Sequence, residues 1–158
     1  MAGARFTPKG SFGTVYLATD PVTALMEVAG AFVNPHAPMG TLRTPPWTLF
    51  AVDGVIDRVL DLTDPAVIDA LETSVDELSG NWRFAQELHR RGDGPLPPTQ
   101  CLGAAARSLG TITGVQYHSA KNPGRGLGLG VFPDRMAPGG ISYLEVYDPH
   151  GTIEQRLP

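Results

Sequence analysis

Cysteine is nearly absent from this sequence: Cys101 is the only one among 158 residues. A single cysteine excludes an intrachain disulfide framework and a cluster of thiolate metal ligands. The four histidines have no metal-type spacing, among themselves or with a carboxylate pair, so we expect no metal site. Cys101 falls on a predicted helix, where its simplest role is that of a small core residue.

Positive charge is also scarce. The sequence has 12 Lys and Arg residues against 16 Asp and Glu, a formal net charge of −4, and its basic residues are scattered. The nearest approach to a basic cluster, at residues 89–91, is too short to follow a nucleic-acid backbone. We therefore expect no direct binding to nucleic acid.

Long apolar runs are missing as well. No run approaches the roughly 20 residues that a membrane span needs, and residues 1–5 do not lead into a signal-peptide core. These features predict a cytoplasmic protein in a reducing compartment, with no membrane partner.

Turn-forming residues, by contrast, are frequent: the sequence has 19 Gly and 15 Pro, which favours short elements over a helical bundle. No internal repeat, linker or charge block divides the chain. Residues 1–158 therefore predict one compact domain, large enough for a continuous core.

A strand–turn–helix unit is the clearest local pattern. Residues 14–18 are apolar and β-rich, which predicts a buried strand. Asp20 can then cap a helix that has Pro21 at its first position. This helix should run to about Phe32 and end near the turn signal at residues 34–35.

The remaining elements predict a mixed α+β domain. Strands are expected at 47–52 and 55–62, with the dipeptide Asp53-Gly54 as a hairpin turn between them. Further elements are helices starting at Asp64-Pro65 and at 81–91 and 99–109, then strands at 112–117, 127–132 and 141–147. Strands cluster at the two ends of the chain and helices in its middle, as in an α+β fold.

Glycines alternate strictly at residues 124–130. This spacing matches neither the dinucleotide-binding fingerprint nor the P-loop. Alternation instead places four glycines on one face of a strand, where a neighbouring backbone or a ligand can approach closely. We favour packing over phosphate binding for this segment.

Four polar residues are candidates for chemistry, and none is informative singly. Glu27 interrupts the apolar run 24–29 and is either an exposed acid on an amphipathic helix or a carboxylate that points into a cleft. Tyr16, Arg5 and Ser119 could equally be a packed strand residue, a surface charge and a turn serine. No Gly-x-Ser-x-Gly elbow is present for a hydrolase nucleophile.

Taken in order, however, the segments that carry these residues resemble the RES domain, a family named for an arginine, a glutamate and a serine. Residues 3–6 resemble its glycine–arginine–aromatic loop, and residues 114–120 resemble the segment with its serine. Between them, Tyr16 and Glu27 stand eleven residues apart, as in the family. The specificity lies in the ordered set, because each motif alone is weak.

The resemblance implies a fold related to ADP-ribosyltransferases and an activity on NAD+, as a substrate and not a cofactor. Known members are toxins of two-gene toxin–antitoxin pairs, neutralised by an Xre-type helix-turn-helix antitoxin. It therefore implies an NAD+ glycohydrolase or phosphorylase that cleaves the nicotinamide–ribose bond. The alternative within the family is a toxin that transfers ADP-ribose to a protein.

Carried onto this sequence, the resemblance implies a site of Arg5, Tyr16, Glu27 and Ser119. Glu27 would stabilise an oxocarbenium-like ribose, and Arg5 would present its fork of donors to pyrophosphate or ribose oxygens. Tyr16 would stack on the nicotinamide ring or wall it in. Ser119 would hydrogen-bond the nicotinamide-side ribose or the carboxamide.

The sequence departs from the family at its start. Family members usually carry another arginine, followed by an aromatic residue, in a first strand before the glycine–arginine loop. Here Met1 stands four residues before Arg5, so we expect a RES-like domain without that strand and with an exposed sheet edge. This departure leaves open a third reading, a shortened and inactive module that binds a partner or a nucleotide.

Overall fold

The computed structural model describes residues 3–32 and 48–158. The strands are β1 (Val15–Ala18), β2 (Val52–Val55), β3 (Val59–Asp61), β4 (Gly114–His118), β5 (Leu127–Val131), β6 (Tyr143–Val146) and β7 (Arg156–Leu157). The helices are α1 (Pro21–Phe32), α2 (Pro65–Ala70), α3 (Val75–Ser79), α4 (Trp82–Arg91) and α5 (Pro98–Ser108). A short 3-10 turn spans Pro133–Arg135.

Two sheets organise these elements. The main sheet has four strands in the order β1-β5-β4-β3, and only the β3–β4 pair is parallel. The second sheet has three antiparallel strands in the order β2-β6-β7. Four of the five helices that the described residues form lie between β3 and β4 in the chain, so the predicted α+β class is confirmed.

The core lies on both faces of the main sheet. On one face, strand residues such as Val115 and Tyr117 pack with Phe6 and with Leu78 and Ala106 from the helices. The other core cluster joins Val131 of the main sheet to Leu144 of the second sheet. Burial of these apolar side chains is the main force that holds the layers together.

Local sequence signals fix where the helices begin and end. The Asp20 carboxylate accepts a hydrogen bond from the Thr23 backbone N–H at 2.9 Å and so caps α1. Asp64 and Asn81 cap α2 and α4 in the same way. Gly92 ends α4 in the left-handed conformation, with φ of 83°. The predicted turn at residues 34–35 lies outside the described residues. None of the described helices has the length and apolar character needed to cross a bilayer.

The predicted hairpin at Asp53-Gly54 is wrong. Both residues lie inside β2, where Gly54 pairs with Leu144 of β6. A Cβ at position 54 would lie 2.3 Å from the Tyr143 carbonyl oxygen. The absence of a side chain at Gly54 therefore allows the backbones of β2 and β6 to approach closely. Residues 48–51 are not in a strand, and Trp47 lies outside the described residues.

The other differences are shorter or additional elements. The strand expected at 55–62 is divided: Val55 ends β2, residues 59–61 form β3, and Arg58 between them has a positive φ of 53°. Helix α3 and strand β7 were not predicted. Both are short, with 5 and 2 residues, and carry too little periodicity to be recognised.

Helix α5 buries one face, formed by Thr99, Gln100, Gly103 and Ala106. Cys101 lies off this face and is exposed, so its predicted place in the core is wrong. Gly103 brings α5 against the loop before β1, since a Cβ there would lie 2.0 Å from the carbonyl oxygen of residue 6.

Candidate functional site

A cavity of about 360 Å³ opens where β1, β4, α1, α4 and the loop before β1 meet. This volume lies within the range of small-molecule sites in proteins. Among the described residues, the charged side chains that line it are Arg5, Glu27, Arg83 and Lys121. Three cations around one carboxylate give the cavity a positive balance, which suits a ligand with anionic groups.

Glu27 reaches the cavity from α1. Ala24, Glu27 and Val28 all line it, as expected for residues three and four apart on one helical face. Of the two sequence interpretations, an exposed outer-face acid or a carboxylate in a cleft, the structure shows the second.

Ser119 holds the Glu27 carboxylate in place. Its hydroxyl accepts hydrogen bonds from the backbone N–H groups of Lys121 and Asn122, each at 3.1 Å. The single hydroxyl proton is therefore available for Glu27 Oε1, at 2.6 Å. Because Glu27 acts here as the acceptor, this short bond is of the charge-assisted kind.

Arg5 is buried and is fixed by backbone carbonyls at the end of α3. Its Nη1 donates to the carbonyl of Leu78 at 2.7 Å and to that of Gly80 at 3.2 Å. Carbonyls at a helix C-terminus lack helical partners and favour a cation. Burial lowers the pKa of Arg5, and the nearby Glu27 carboxylate opposes that shift.

Tyr16 fastens the Arg5 loop to β1. Its hydroxyl accepts a hydrogen bond from the Phe6 backbone N–H at 2.9 Å and lies 3.0 Å from Thr7 Oγ1. Burial raises the pKa of Tyr16, so the hydroxyl stays neutral. The same side chain also contributes to the cavity wall.

The alternating glycines leave room for two tyrosine side chains that line the cavity, Tyr117 and Tyr16. Gly128 of β5 pairs with Tyr117 of β4, and a Cβ at position 128 would lie 2.4 Å from Tyr117 Cζ. Gly130 pairs with Tyr16 on the other side of β5. Packing, the favoured interpretation of this segment, agrees with these contacts. Only two of the four glycines belong to the strand, however, and Gly124 occupies a turn with φ of 75°.

The structure therefore brings three of the four candidates, Arg5, Tyr16 and Glu27, to one cavity. Ser119 is 1% exposed and reaches the cavity through its bond to Glu27. Within the two described stretches, no group of three His, Cys, Asp or Glu side chains could hold a metal ion.

Sequence reasoning missed the contribution of α4 to the cavity. Trp82 and Arg83 both line it, and the Arg83 guanidinium carbon lies 4.8 Å from the centroid of the Trp82 ring. The helix itself was predicted, but no motif shows which of its residues face the cavity. Tyr117 stands in the predicted serine segment 114–120 and Lys121 directly follows it, and nothing distinguished them from strand and turn residues.

Comparisons with known proteins show a family and a similar fold. A family model described as "RES domain" matches residues 1–150. The fold is similar to that of a chain in the crystal structure of the M. tuberculosis MbcT–MbcA toxin–antitoxin complex. The TM-score is 0.65 and the sequence identity 23%, over 92% of this chain and 69% of that chain. No curated protein matches the chain.

Proposed function

The chain belongs to the RES domain family, and from that premise we propose that it cleaves the nicotinamide–ribose bond of NAD+. One observation carries the proposal: Arg5, Tyr16 and Glu27 line a single cavity. These residues lie on a loop, a strand and a helix, and the family's serine is bonded to the glutamate.

The chemistry needs no activated nucleophile in the protein. Nicotinamide leaves NAD+ as a neutral molecule, so positive charge develops on the ribose as the bond breaks. A carboxylate beside that ribose stabilises the developing charge. With Oε1 of Glu27 held by Ser119, Oε2 would meet the ribose or accept a hydrogen bond from one of its hydroxyls.

Arg5 would hold the anionic part of the substrate. Its Nη1 is engaged by two carbonyls, so a phosphate or ribose oxygen would be met by the remaining donors of the five in the guanidinium fork. Arg83 and Lys121 on the same cavity add positive charge for a pyrophosphate. Tyr16 would wall in the nicotinamide ring.

For Ser119 we propose a different role from direct contact with the substrate. The hydroxyl is buried and its proton is committed to Glu27. Ser119 would therefore act on the reaction by fixing the carboxylate. A charge that is already held in place stabilises a transition state better than a mobile one, because it need not reorganise during the reaction.

We further propose that the reaction serves a toxin whose partner is an Xre-type helix-turn-helix antitoxin. The family assignment and the similar fold found in a toxin–antitoxin complex support this role. Expression in bacteria should then deplete NAD+ and arrest growth, and co-expression of such an antitoxin from a neighbouring gene should restore both.

The direct test is to incubate the purified protein with NAD+, with and without phosphate, and to follow nicotinamide by chromatography. Water as acceptor gives ADP-ribose and a proton, and phosphate gives a phosphorylated ADP-ribose. Label from NAD+ on a protein band would show the alternative, ADP-ribosyl transfer. No nicotinamide release in any mixture would contradict the proposal.

Glu27→Gln keeps the shape of the side chain and removes its charge. We expect kcat to fall about a hundredfold or more, the scale found when one electrostatic contact to a transition state is lost. Glu77→Gln is the matched control, since Glu77 also accepts a hydroxyl hydrogen bond, from Thr73, but lies outside the cavity. Equal rates in the two variants would show that Glu27 takes no part in the reaction.

A further inference from the structure

The turn formed by residues 119–122, here called the Ser119 turn, is fastened to α1 at two points. One is the bond from Ser119 to Glu27 at 2.6 Å. The other is a bond from Asn122 Nδ2 to Thr23 Oγ1 at 2.8 Å. Thr23 and Glu27 are four residues apart on α1, so the two bonds lie one helical turn apart on the same face.

The second bond has a fixed direction. The Thr23 hydroxyl donates its proton to Asp20 Oδ2 at 2.5 Å, and this bond lowers the pKa of Asp20. With its only proton committed to a carboxylate, Thr23 can only accept from Asn122. The amide nitrogen of Asn122 must therefore face Thr23, and a chain of donors runs from Asn122 through Thr23 to Asp20.

The Thr23 end of this second attachment is buried and closely packed, and Asn122 is half-buried. The Thr23 side chain has no exposed surface. Gly126 closes the loop after the Ser119 turn, and a Cβ there would lie 2.3 Å from Thr23 Oγ1. Backbone bonds from Gly126 N to Asn122 O, at 2.9 Å, and from Ser119 N to Gly126 O, at 2.8 Å, complete the closure. These contacts leave the Ser119 turn little freedom to shift.

We propose that Asn122 and Thr23 are positioning residues, which hold the Ser119 turn so that Ser119 fixes the Glu27 carboxylate. Neither side chain lines the cavity, so any effect on the reaction must pass through Ser119 and Glu27. The inference rests on the proposed function for what Glu27 does there. The attachment itself is a property of the fold and can be measured separately.

The expected signature is a loss in kcat with little change in KM. A carboxylate that is less well placed loses stabilisation of the transition state, while binding of the dinucleotide elsewhere in the cavity persists. Small displacements of a reacting group carry large kinetic costs, so a decrease of about tenfold is expected. Because unfolded molecules would also lower the apparent kcat at constant KM, kcat is calculated per folded molecule, with the folded fraction measured by circular dichroism.

The experiment compares four variants of the full chain. Thr23→Val removes the hydroxyl but keeps the backbone cap to Asp20, and Asn122→Ala removes the donor. Thr23→Ser retains the hydroxyl and should recover most of the activity that Thr23→Val loses. Ser142→Ala is the control, because Ser142 is also a buried hydroxyl bonded to a carboxylate, Asp57, but neither residue lines the cavity.

Two quantities are measured: steady-state kinetics with NAD+, and hydrogen exchange of the Lys121 backbone N–H, which donates to Ser119. Thr23→Val and Asn122→Ala should exchange that proton about tenfold faster, with exchange in Ser142→Ala as in the wild type. If the Lys121 exchange rate is unchanged in both variants, or if kcat falls as much in Ser142→Ala, the proposal is overturned.

The two proposals fail in different ways. A wild-type protein that releases no nicotinamide contradicts the proposed function, whatever the variants do. The attachment is then judged by exchange alone: faster exchange in Thr23→Val but not in Ser142→Ala supports it, and equal exchange overturns it.

Discussion

At the scale of one residue, Arg5 could be a surface charge by its sequence context, whereas in the fold its guanidinium is buried and joins two segments of the chain. It stands in a glycine-containing loop, yet its guanidinium is buried against carbonyls 73 and 75 positions away. One nitrogen serves both carbonyls, and the remaining donors of the fork are left for a ligand. A lysine would have to serve both tasks with a single ammonium group.

Arg5→Lys should therefore fold but bind substrate poorly, with kcat/KM for NAD+ about tenfold or more below the wild type. Arg5→Ala should in addition lose stability by about 1–3 kcal/mol, because buried carbonyls are left without a donor. Urea unfolding and steady-state kinetics measure the two effects. Arg156→Lys, in the second sheet, is the control; Arg5→Lys with wild-type kcat/KM would remove Arg5 from substrate binding.

The sequence predicted much of this site, because three of its motifs are continuous in the chain and resemble one family. What it could not predict is how the motif residues are held. The carbonyl of Leu78 meets Arg5 only after α3 and the sheet have packed, and no local pattern encodes that contact. Similarly, no local pattern encodes the bond from the Ser119 hydroxyl to Glu27 Oε1.

At the scale of elements, the helices were predicted best, since their ends depend on neighbours in sequence. Asp64 and Asn81 cap α2 and α4 at the residues where the sequence predicted these helices to begin, and Gly92 caps α4 directly after its predicted end at residue 91. Strand β2 was misplaced, because its position depends on pairing with β6, about ninety residues later in the chain. The contribution of α4 to the cavity depends on packing angles that periodicity does not determine.

The two glycines of β5 allow a prediction at this scale. Gly128→Ala should destabilise the fold by about 1–3 kcal/mol and disturb the cavity, since its Cβ would overlap the Tyr117 ring. Gly130→Ala is the matched variant: its nearest neighbours would be at 3.5 Å, an ordinary contact. Chemical unfolding of both, with the near-ultraviolet signal of tyrosine, gives the comparison. Equal stability of the two variants would contradict the packing role of Gly128.

At the scale of the whole molecule, two carboxyl groups with lowered pKa values should make the stability of the fold sensitive to acid. Hydrogen bonds from Arg90 and Arg91 lower the pKa of Glu87 from 4.5 to about 2. Bonds from the Thr152 hydroxyl and from nearby backbone N–H groups lower the pKa of Asp148 from 3.8 to about 2. A depressed pKa in the fold means stability that is present above the unfolded value and lost as the pH falls towards 2.

Glu87→Gln should therefore lower the midpoint of thermal unfolding at pH 7, and the difference from the wild type should shrink between pH 4.5 and 2. Because Glu87 and its partners are at the surface, salt should weaken the effect. Thermal scans at several pH values, at low and high salt, measure both dependences. A difference that stays constant from pH 7 to pH 2 would show that the charge of Glu87 is not its cause.

The order of strands in the main sheet also has a consequence for the newly made chain. Strand β1 pairs with β5, and Glu27 with Ser119, so both halves of the cavity depend on residues more than ninety positions apart. At ribosomal synthesis rates of about 5 to 20 residues per second, roughly 6 to 23 s separate the appearance of β1 at the ribosome from that of β5. Until then a nascent chain has no complete cavity. A chain that acts on NAD+ as proposed would thus be inactive while it is being translated. It would become active only after the complete chain has folded, when a partner can also bind it.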